Sequence, residues 1–279
     1  MTANNPLQKY FRQPKIYMAL PSKGLFYPPG TLLGDYNNVP VFGMTGMDEI
    51  IMKTPDALFN GEATTKVIES CCPYISDASV IPSTDVDALL VGIRIATYGG
   101  EMELTHSCPA CKAENEFVVD LQKILDYYSS ISFDGKIQID DLTITIRPLS
   151  YAEVTRFNME NFKLQKMLYQ LSKAEAAEDD DKTQEVNDSI YKRISEMQVE
   201  LFLISIDNIQ VNGETVEDSE VISEWLQNSD RKFFKTIKEK LEANKSMWNM
   251  PKQHVTCTAC SHEADVEITL DQSNFFARS

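Results

Sequence analysis

The sequence predicts an α+β fold of two pseudo-repeated halves, each made of short strands and helices and each ending in a Cys-x-x-Cys knuckle. Two observations lead to this prediction. The stretches "CPACKAENEFVVDL" from Cys108 and "CTACSHEADVEITLD" from Cys257 share the pattern Cys-x-Ala-Cys-x-x-Glu. Upstream of each knuckle, a short strand runs into a helix-start signature, so the order strand, capped helix, helices, knuckle, strand occurs twice. Such recurrence indicates an internal duplication.

The first half is predicted to cover residues 38–138, after an N-terminal arm at 1–37. The arm is rich in proline, glycine and aromatic residues, a composition typical of extended chain with turns. It either packs on its own domain or reaches a neighbouring subunit. From Val39 a short strand leads to Thr45 and Asp48, which are spaced as in a capping box. Helices follow, and the last, around "DALLVGIRIATYGG", is expected to be buried and to end at its Gly pair.

The second half is predicted to cover residues 139–279. The alternating strand "DDLTITIRPLSYAEV" runs into Ser150, with Glu153 three residues later. Residues 158–200 read as an inserted helical hairpin whose tip, "EAAEDDDKTQEVND", is acidic and solvated. One or two amphipathic helices carrying Trp225, Phe233 and Phe234 follow, and the second knuckle closes the half.

Length limits the size of the core, and net charge limits the classes of partner. A chain of 279 residues can bury one large core or two smaller ones. Its formal net charge of −16 repels phosphate backbones and anionic lipid heads, so we expect neither nucleic acid nor membrane as a partner. The N-terminal stretch has no secretory h-region, and no apolar run approaches the ~18 residues of a membrane span. We therefore expect a cytosolic protein with reduced cysteines.

Four cysteines have the spacing of metal ligands. Two Cys-x-x-Cys knuckles provide the four thiolates of a tetrahedral structural Zn²⁺ site, formed by Cys108, Cys111, Cys257 and Cys260. A duplication that brings equivalent knuckles together would let one zinc ion join the halves, and its binding energy would become folding energy. Adjacent Cys71 and Cys72 follow a helical stretch and are expected to be buried apolar residues.

Other uses of the knuckles remain open. A thioredoxin-like redox pair is disfavoured because such a pair begins a helix, whereas strands are predicted after both knuckles. A nucleic-acid-binding zinc ribbon is disfavoured because acids surround the first knuckle, with only Lys112 among them. All three histidines lie beside a knuckle, which leaves room for two separate metal sites or a His ligand; they are His106, His254 and His262.

Catalytic signatures are missing from the sequence. There is no Gly-rich phosphate loop, no Gly-x-Ser-x-Gly elbow and no His-Glu-x-x-His motif. The carboxylates of Asp48 and Glu49 are better explained as charges that complement a helix N-terminus. We therefore do not expect an enzyme.

Several stretches resemble one protein family. They are "LPSKGLFYPPG", "MTGMDEIIMKTPDALFNGEA", "IRIATYGGE" with its following "CPAC", and "CTAC" leading to "LDQSNFF". Together they resemble the baseplate hub subunit and tail-assembly proteins of T4-like, contractile-tailed bacteriophages, and the likeness is weakest at residues 158–200. Matching positions are the two cysteine pairs and an N-terminal motif at Pro21, Gly24, Phe26 and Tyr27.

The resemblance implies a late phage protein that builds the baseplate hub and tail through protein contacts. One possibility is a structural hub component retained in the virion. Another is a chaperone for tape-measure or hub proteins, which acts in the bacterial host cytoplasm and leaves before the tail is complete. A more distant one is a zinc-ribbon regulator of phage transcription, which would bind DNA in a salt-sensitive way.

Overall fold

Helices and strands alternate through both parts of the chain. The structure, a computed structural model, describes residues 6–174, 180–268 and 275–276. By its internal contacts the chain divides into a first unit, Met1–Ser132 with Trp248–Ser279, and a second unit, Phe133–Met247. Each unit combines helices with antiparallel strands, which confirms the α+β class.

The first unit begins with a strand pair and a capped helix. Strands β1 (Pro14–Met18) and β2 (Val39–Phe42) are antiparallel. After β2, the Thr45 hydroxyl accepts a bond from Asp48 N at 3.2 Å, and the Asp48 carboxylate accepts one from Thr45 N at 2.7 Å. The predicted capping box is therefore confirmed. The helices that follow are α1 (Gly46–Ile51), α2 (Pro55–Phe59), α3 (Glu62–Cys71) and α4 (Ser83–Tyr98).

Helix α4 forms the centre of the first unit. Its residues from Ala88 to Ile93 are almost fully buried, and β1, β2 and α3 pack against the helix. Gly99 is the C-cap, with a φ of 102° that glycine adopts without strain. Both expectations for this segment, burial and the terminal glycine, are confirmed.

The N-terminal arm packs on its own unit from Pro14 onward. Its turn is attached to α4 through the buried Asp85 carboxylate, which accepts from Ser22 N at 2.8 Å and from the Tyr27 hydroxyl at 2.9 Å. Gly24 has a φ of 73°, and a Cβ there would lie 3.2 Å from a Leu32 methyl. The segment around Gly24 is thus a tight turn that packs onto α4.

Two hairpins complete the first unit. Strands β3 (Glu101–Ser107) and β4 (Glu114–Asp120) pair in one, which continues into α5 (Leu121–Ser130). Strands β9 (Gln253–Thr256) and β10 (Glu263–Val266) pair in the other. The strand predictions around both knuckles are confirmed. The chain returns to this unit at Trp248, whose ring stacks on Tyr128 with centroids 6.4 Å apart.

The second unit is a four-stranded antiparallel sheet with helices. The strand order is β5-β6-β7-β8, with β5 (Lys136–Ile139), β6 (Leu142–Ile146), β7 (Ile206–Val211) and β8 (Glu214–Val216). Helices α8 (Ser219–Asn228) and α9 (Arg231–Met247) follow the sheet. Trp225 and Phe233 of these helices pack against the buried cluster that the sheet contributes. Their apolar faces therefore belong to a core.

The predicted helical hairpin lies between β6 and β7. Helices α6 (Tyr151–Ala174) and α7 (Asp180–Ile204) pack through a separate cluster that includes Phe157, Leu164 and Met197. At the start of α6, the Glu153 carboxylate accepts from Ser150 N at 2.8 Å, as the capping box predicts. These two helices span the segment predicted as an inserted hairpin at residues 158–200, and residues 175–179 of its acidic tip lie outside the described residues.

The two units divide the chain differently from the predicted halves. The second knuckle belongs to the first unit, and the second unit starts at Phe133 because β5 pairs with β6. The physical reason is long-range packing, since Trp248 stacks on Tyr128 and the second knuckle binds the first. In the described part of the chain, no helix is long and apolar enough to cross a membrane.

Candidate metal centre

Both knuckles have the same backbone geometry. In the first, Cys108 N donates to Ala113 O at 2.9 Å and Lys112 N donates to Cys108 O at 2.9 Å. In the second, Cys257 N donates to His262 O at 2.8 Å and Ser261 N donates to Cys257 O at 2.9 Å. Lys112 and Ser261 occupy equivalent positions and both have a left-handed φ, 63° and 59°. The recurrence in sequence is therefore also a recurrence in conformation.

The four predicted cysteines lie together. Their Sγ atoms are all within 4.8 Å of one another. Between the knuckles, Cys108 Sγ lies 3.8 Å from Cys260 Sγ and Cys111 Sγ lies 3.6 Å from Cys257 Sγ. A disulfide would need about 2.05 Å. Four sulfurs around one ion at ~2.3 Å would be separated by about 3.8 Å, so this cluster could hold a metal ion.

Backbone donors prepare one of the thiols for ligation. The N–H groups of Ala259 and Cys260 point at the Cys257 sulfur and lower the pKa of that thiol to about 6. For Cys260, the N–H of His262 acts in the same direction, but the neighbouring Cys111 thiol and burial outweigh it and raise the pKa to about 12. Binding of an ion by all four thiolates would therefore release protons.

Asn115 connects the two knuckles directly. This residue lies on β4 and is buried, with 3% exposure. Its Oδ1 accepts from Thr258 N at 2.8 Å and from the Thr258 hydroxyl at 3.0 Å. Its Nδ2 donates to Ala113 O at 3.0 Å and approaches Cys257 Sγ at 3.5 Å. A single side chain of the first hairpin thus fixes the backbone and a ligand atom of the second.

Asn115 was not predicted as a residue of the site, although the sequence contains a signal for it. Asparagine is depleted in strands, and the alternation along β4 places residue 115 on the inward side. A buried amide needs hydrogen-bond partners, so an inward asparagine four residues after Cys111 could have indicated a second set of contacts at the site.

The histidines are not part of the cluster, which contains only thiols among the described residues. His254 is exposed and its Nδ1 lies 3.1 Å from an Asp265 oxygen. His262 is also exposed, and its carbonyl serves the Cys257 N–H. His106 lies on β3 opposite Asn115, with a buried Nε2 that has no hydrogen-bond partner in the described chain. These positions favour the all-cysteine arrangement.

The remaining cysteines are buried, as predicted. Cys71 and Cys72 are fully inaccessible to solvent. Burial raises the pKa of Cys71 to about 11 and raises that of Cys72 well above its usual value. Asp48 and Glu49 lie in the first turn of α1, as expected of charges that complement a helix N-terminus.

The chain is thus a two-unit α+β protein with a paired-knuckle cluster of four thiols. Residues 44–277 match the model of the T4 bacteriophage base plate protein family. The match covers most of the chain, and the protein belongs to this family. No curated protein and no solved structure matches it.

Membership in this family defines the role at a coarse level. The protein has a structural role in the phage tail baseplate, where it interacts with other tail proteins. The expectation of a T4-like baseplate protein is confirmed at that level. A structural family also favours a non-enzymatic role, in agreement with the sequence.

Proposed function

We propose that this protein is a structural component of the baseplate hub, in which one Zn²⁺ ion bound by Cys108, Cys111, Cys257 and Cys260 links the two knuckles. The baseplate role rests on the family match and the hub on the resemblance in sequence, whereas the zinc site rests on the thiol cluster. Its cross-knuckle sulfur pairs are 146 and 152 residues apart in sequence, yet they lie at separations close to the edges of a ZnS₄ tetrahedron. No other feature of the described chain gathers ligands of one chemical kind in this way.

The ligand set favours zinc in a structural role. Four soft thiolates in tetrahedral geometry suit Zn²⁺ or an iron–sulfur centre. Four protein ligands leave no open position for water or substrate, which is the property of a structural zinc site. The protein's own part is to pre-form the site: backbone N–H groups solvate the sulfurs, and Asn115 holds the second knuckle at the first.

We further propose that the two halves of the chain arose by duplication. Support comes from the two capping boxes, at Thr45 and Ser150, and from the two knuckles of equal geometry. In the first half the chain runs from capped helix to knuckle without interruption. In the second, the α6–α7 hairpin and the sheet intervene. We likewise propose that the protein is assembled in the host cytoplasm and is retained in the virion as part of the hub. Its proposed partners are hub, tail or tape-measure proteins.

Elemental analysis of the purified protein tests the zinc site. We expect one zinc per chain in the native protein and loss of that zinc in Cys108→Ser. Cys71→Ala is the matched control, because it removes a thiol outside the cluster, and its zinc content should stay at one per chain. Two zinc ions per chain, or zinc that survives in Cys108→Ser, would contradict a site shared by the four cysteines. Iron in place of zinc would contradict the identity of the metal.

Mass spectrometry of purified phage particles tests the hub role. A hub component should be present in mature tails at fixed stoichiometry. Presence only in assembly intermediates would instead identify the chaperone. Salt-sensitive binding to DNA would identify the zinc-ribbon regulator.

A further inference from the structure

The second unit has a groove that the thiol cluster does not involve. Its volume is about 650 Å³, and it lies between the end of α7, the start of β7 and one face of α8. Its floor is apolar: Leu203 and Ile204 are half-buried there and Ile206 is buried. The volume is within the range of clefts that accept part of another molecule, and most of the lining residues other than the floor are polar.

One wall of the groove is a polar ridge on α8. It consists of Glu220, Ser223, Glu224 and Gln227, which recur every three or four residues and so share one helix face. The opposite face of α8, with Ile222 and Trp225, packs into the core of the unit. The ridge is therefore fixed in place and faces outward.

Two carboxylates of the groove, Glu220 and Glu224, form no ion pair with a lysine or arginine of the described chain. The groove's other two carboxylates are near arginines. Glu200 pairs with Arg156 at 2.9 Å. Arg147, the one cation of the lining, pairs with Glu153 at 2.8 Å, and its pKa is raised by the Glu153 hydrogen bond and, to a smaller extent, by the charge of Asp207.

The helix that ends in the groove adds to this negative potential. Helix α7 terminates at Ile204, on the groove floor. Carbonyl groups at a helix C-terminus carry the negative end of the helix dipole and favour a nearby cation. The groove thus combines an apolar floor with negative walls, and its charges are not balanced from within.

We propose that this groove docks a basic amphipathic helix of a partner protein, and in the baseplate role proposed above that partner is another tail protein. Glu220 and Glu224 are one helical turn apart, about 6 Å along the axis. A partner helix with Lys or Arg at i and i+4 matches this spacing, and an apolar side chain on the adjacent face covers Leu203 and Ile204. A second copy of this chain is a poor occupant, because two proteins of net charge −16 repel each other.

Fluorescence anisotropy with synthetic helices tests the proposal. The probe is a labelled amphipathic peptide of Lys and Leu, about four turns long, with lysines at i and i+4. A second peptide replaces every Leu by Ser and keeps the charge. We expect Glu220→Gln combined with Glu224→Gln to weaken binding of the Lys/Leu helix about tenfold.

A matched pair of substitutions separates the groove from general attraction to an acidic protein. Glu214→Gln with Glu217→Gln removes the same charge from exposed positions outside the groove and should change affinity less than about twofold. Equal losses in both double variants would overturn the proposal, and so would equal binding of the Lys/Ser peptide or no binding at all. If the free protein is a dimer that the groove variant dissociates, the occupant is a second copy and the proposal is also overturned.

The result is independent of the zinc assay. No cysteine of the chain lies in the second unit, so both double variants should retain their zinc. Loss of peptide binding with zinc retained concerns the groove alone, whereas a protein without zinc that still binds the peptide concerns the metal centre alone.

Discussion

The two knuckle hairpins share a turn but differ in what supports them. The first hairpin, residues 101–120, has strands of seven residues, buries Met102 and Val119, and continues directly into α5. The second hairpin, residues 253–266, has strands of four residues and buries little besides Val255 and the ligand candidate Cys257. An isolated two-stranded hairpin is marginally stable in water. The cysteine motif of the first hairpin is therefore supported by the core of its unit. That of the second hairpin depends more on contacts with the first knuckle.

This difference indicates which of the two hairpins a bound metal ion would stabilise more. Trp248 at one end attaches the second hairpin to the unit, and at the other end Arg94 donates to the carbonyl of Phe275. Between these anchors, the hairpin is held by its thiols and by Asn115. We infer that a bound ion would chiefly order the second hairpin, and that the first would keep its structure without it.

Removing the metal should produce the largest effect. After chelation of zinc we expect amide exchange in β9 and β10 to accelerate at least about 100-fold, while exchange in β3 and β4 changes little, because metal binding energy is folding energy for the segment it orders. Hydrogen exchange read by mass spectrometry resolves the two hairpins. Chelator added to Cys257→Ser should cause no further change. Equal acceleration in both hairpins would show that the metal stabilises them to the same extent.

Removing the Asn115 side chain should have the next largest effect. Asn115→Ala leaves Thr258 N and its hydroxyl without their acceptor, at a cost of about 1–3 kcal/mol in unfolding free energy. Because the amide also approaches a ligand sulfur, zinc affinity should fall about 10–100-fold. Competition with a chromophoric chelator measures this affinity. Glu116→Ala, exposed on the same strand, is the control and should leave the affinity unchanged; an equal loss there would remove the special role of Asn115.

Local features of this protein could be predicted from sequence, and long-range ones could not. Both capping boxes, the two knuckles and the α6–α7 hairpin follow from residues close together in the chain, such as Ser150 with Glu153. The meeting of the four cysteines was also predicted, but on the assumption of symmetry between the halves rather than from spacing.

The boundary between the units depends on contacts that no local pattern encodes. The second knuckle joins the first unit because Trp248 meets Tyr128 and because Asn115 meets Thr258, across separations of more than a hundred residues. Strand β5 was not predicted either, since its four residues are ordered by pairing with β6. Tertiary pairing of this kind outweighs intrinsic strand preference.

The capping box of the second half, formed by Ser150 and Glu153, should make a smaller contribution to stability. Burial raises the pKa of the Glu153 carboxyl. The hydrogen bonds that this carboxyl accepts from Arg147 and Ser150 outweigh burial, so its pKa is lowered from the usual 4.5. A carboxyl with a lowered folded-state pKa stabilises the protein above its unfolded pKa, and that stability is lost as pH falls through the folded value. Glu153→Gln should therefore cost about 1 kcal/mol at neutral pH and almost nothing in acid below both pKa values.

Chemical denaturation of Glu153→Gln and the native protein at both pH values measures this difference. Glu214→Gln, exposed on β8, is the control and should have little effect at either pH. A cost that persists unchanged in acid would mean that Glu153 acts through packing rather than through its charge.

The smallest expected effect comes from the contact between Thr258 and Asn115, which has no counterpart in the other direction between the knuckles. The position of Thr258 in the second knuckle corresponds to Pro109 in the first, and that of Asn115 corresponds to Ala264. Proline has no N–H to donate and alanine has no side-chain acceptor, so this cross-knuckle bond can form in one direction only. Because the two knuckles share their backbone geometry, Thr258→Pro should fold but lose both bonds to Asn115 Oδ1, from the backbone N–H at 2.8 Å and from the hydroxyl at 3.0 Å, at a cost of about 1 kcal/mol.

The reciprocal change, Pro109→Thr, is the matched control. It restores an N–H where Ala264 offers no acceptor, so it should leave zinc release unchanged, whereas Thr258→Pro should accelerate release by roughly tenfold or less. Stopped-flow transfer of zinc to a chelator compares the two rates. If Pro109→Thr accelerated release as much as Thr258→Pro, the turn residues themselves would control the rate. The asymmetry between the hairpins would then lie in their strands alone and not in the contact between Asn115 and Thr258.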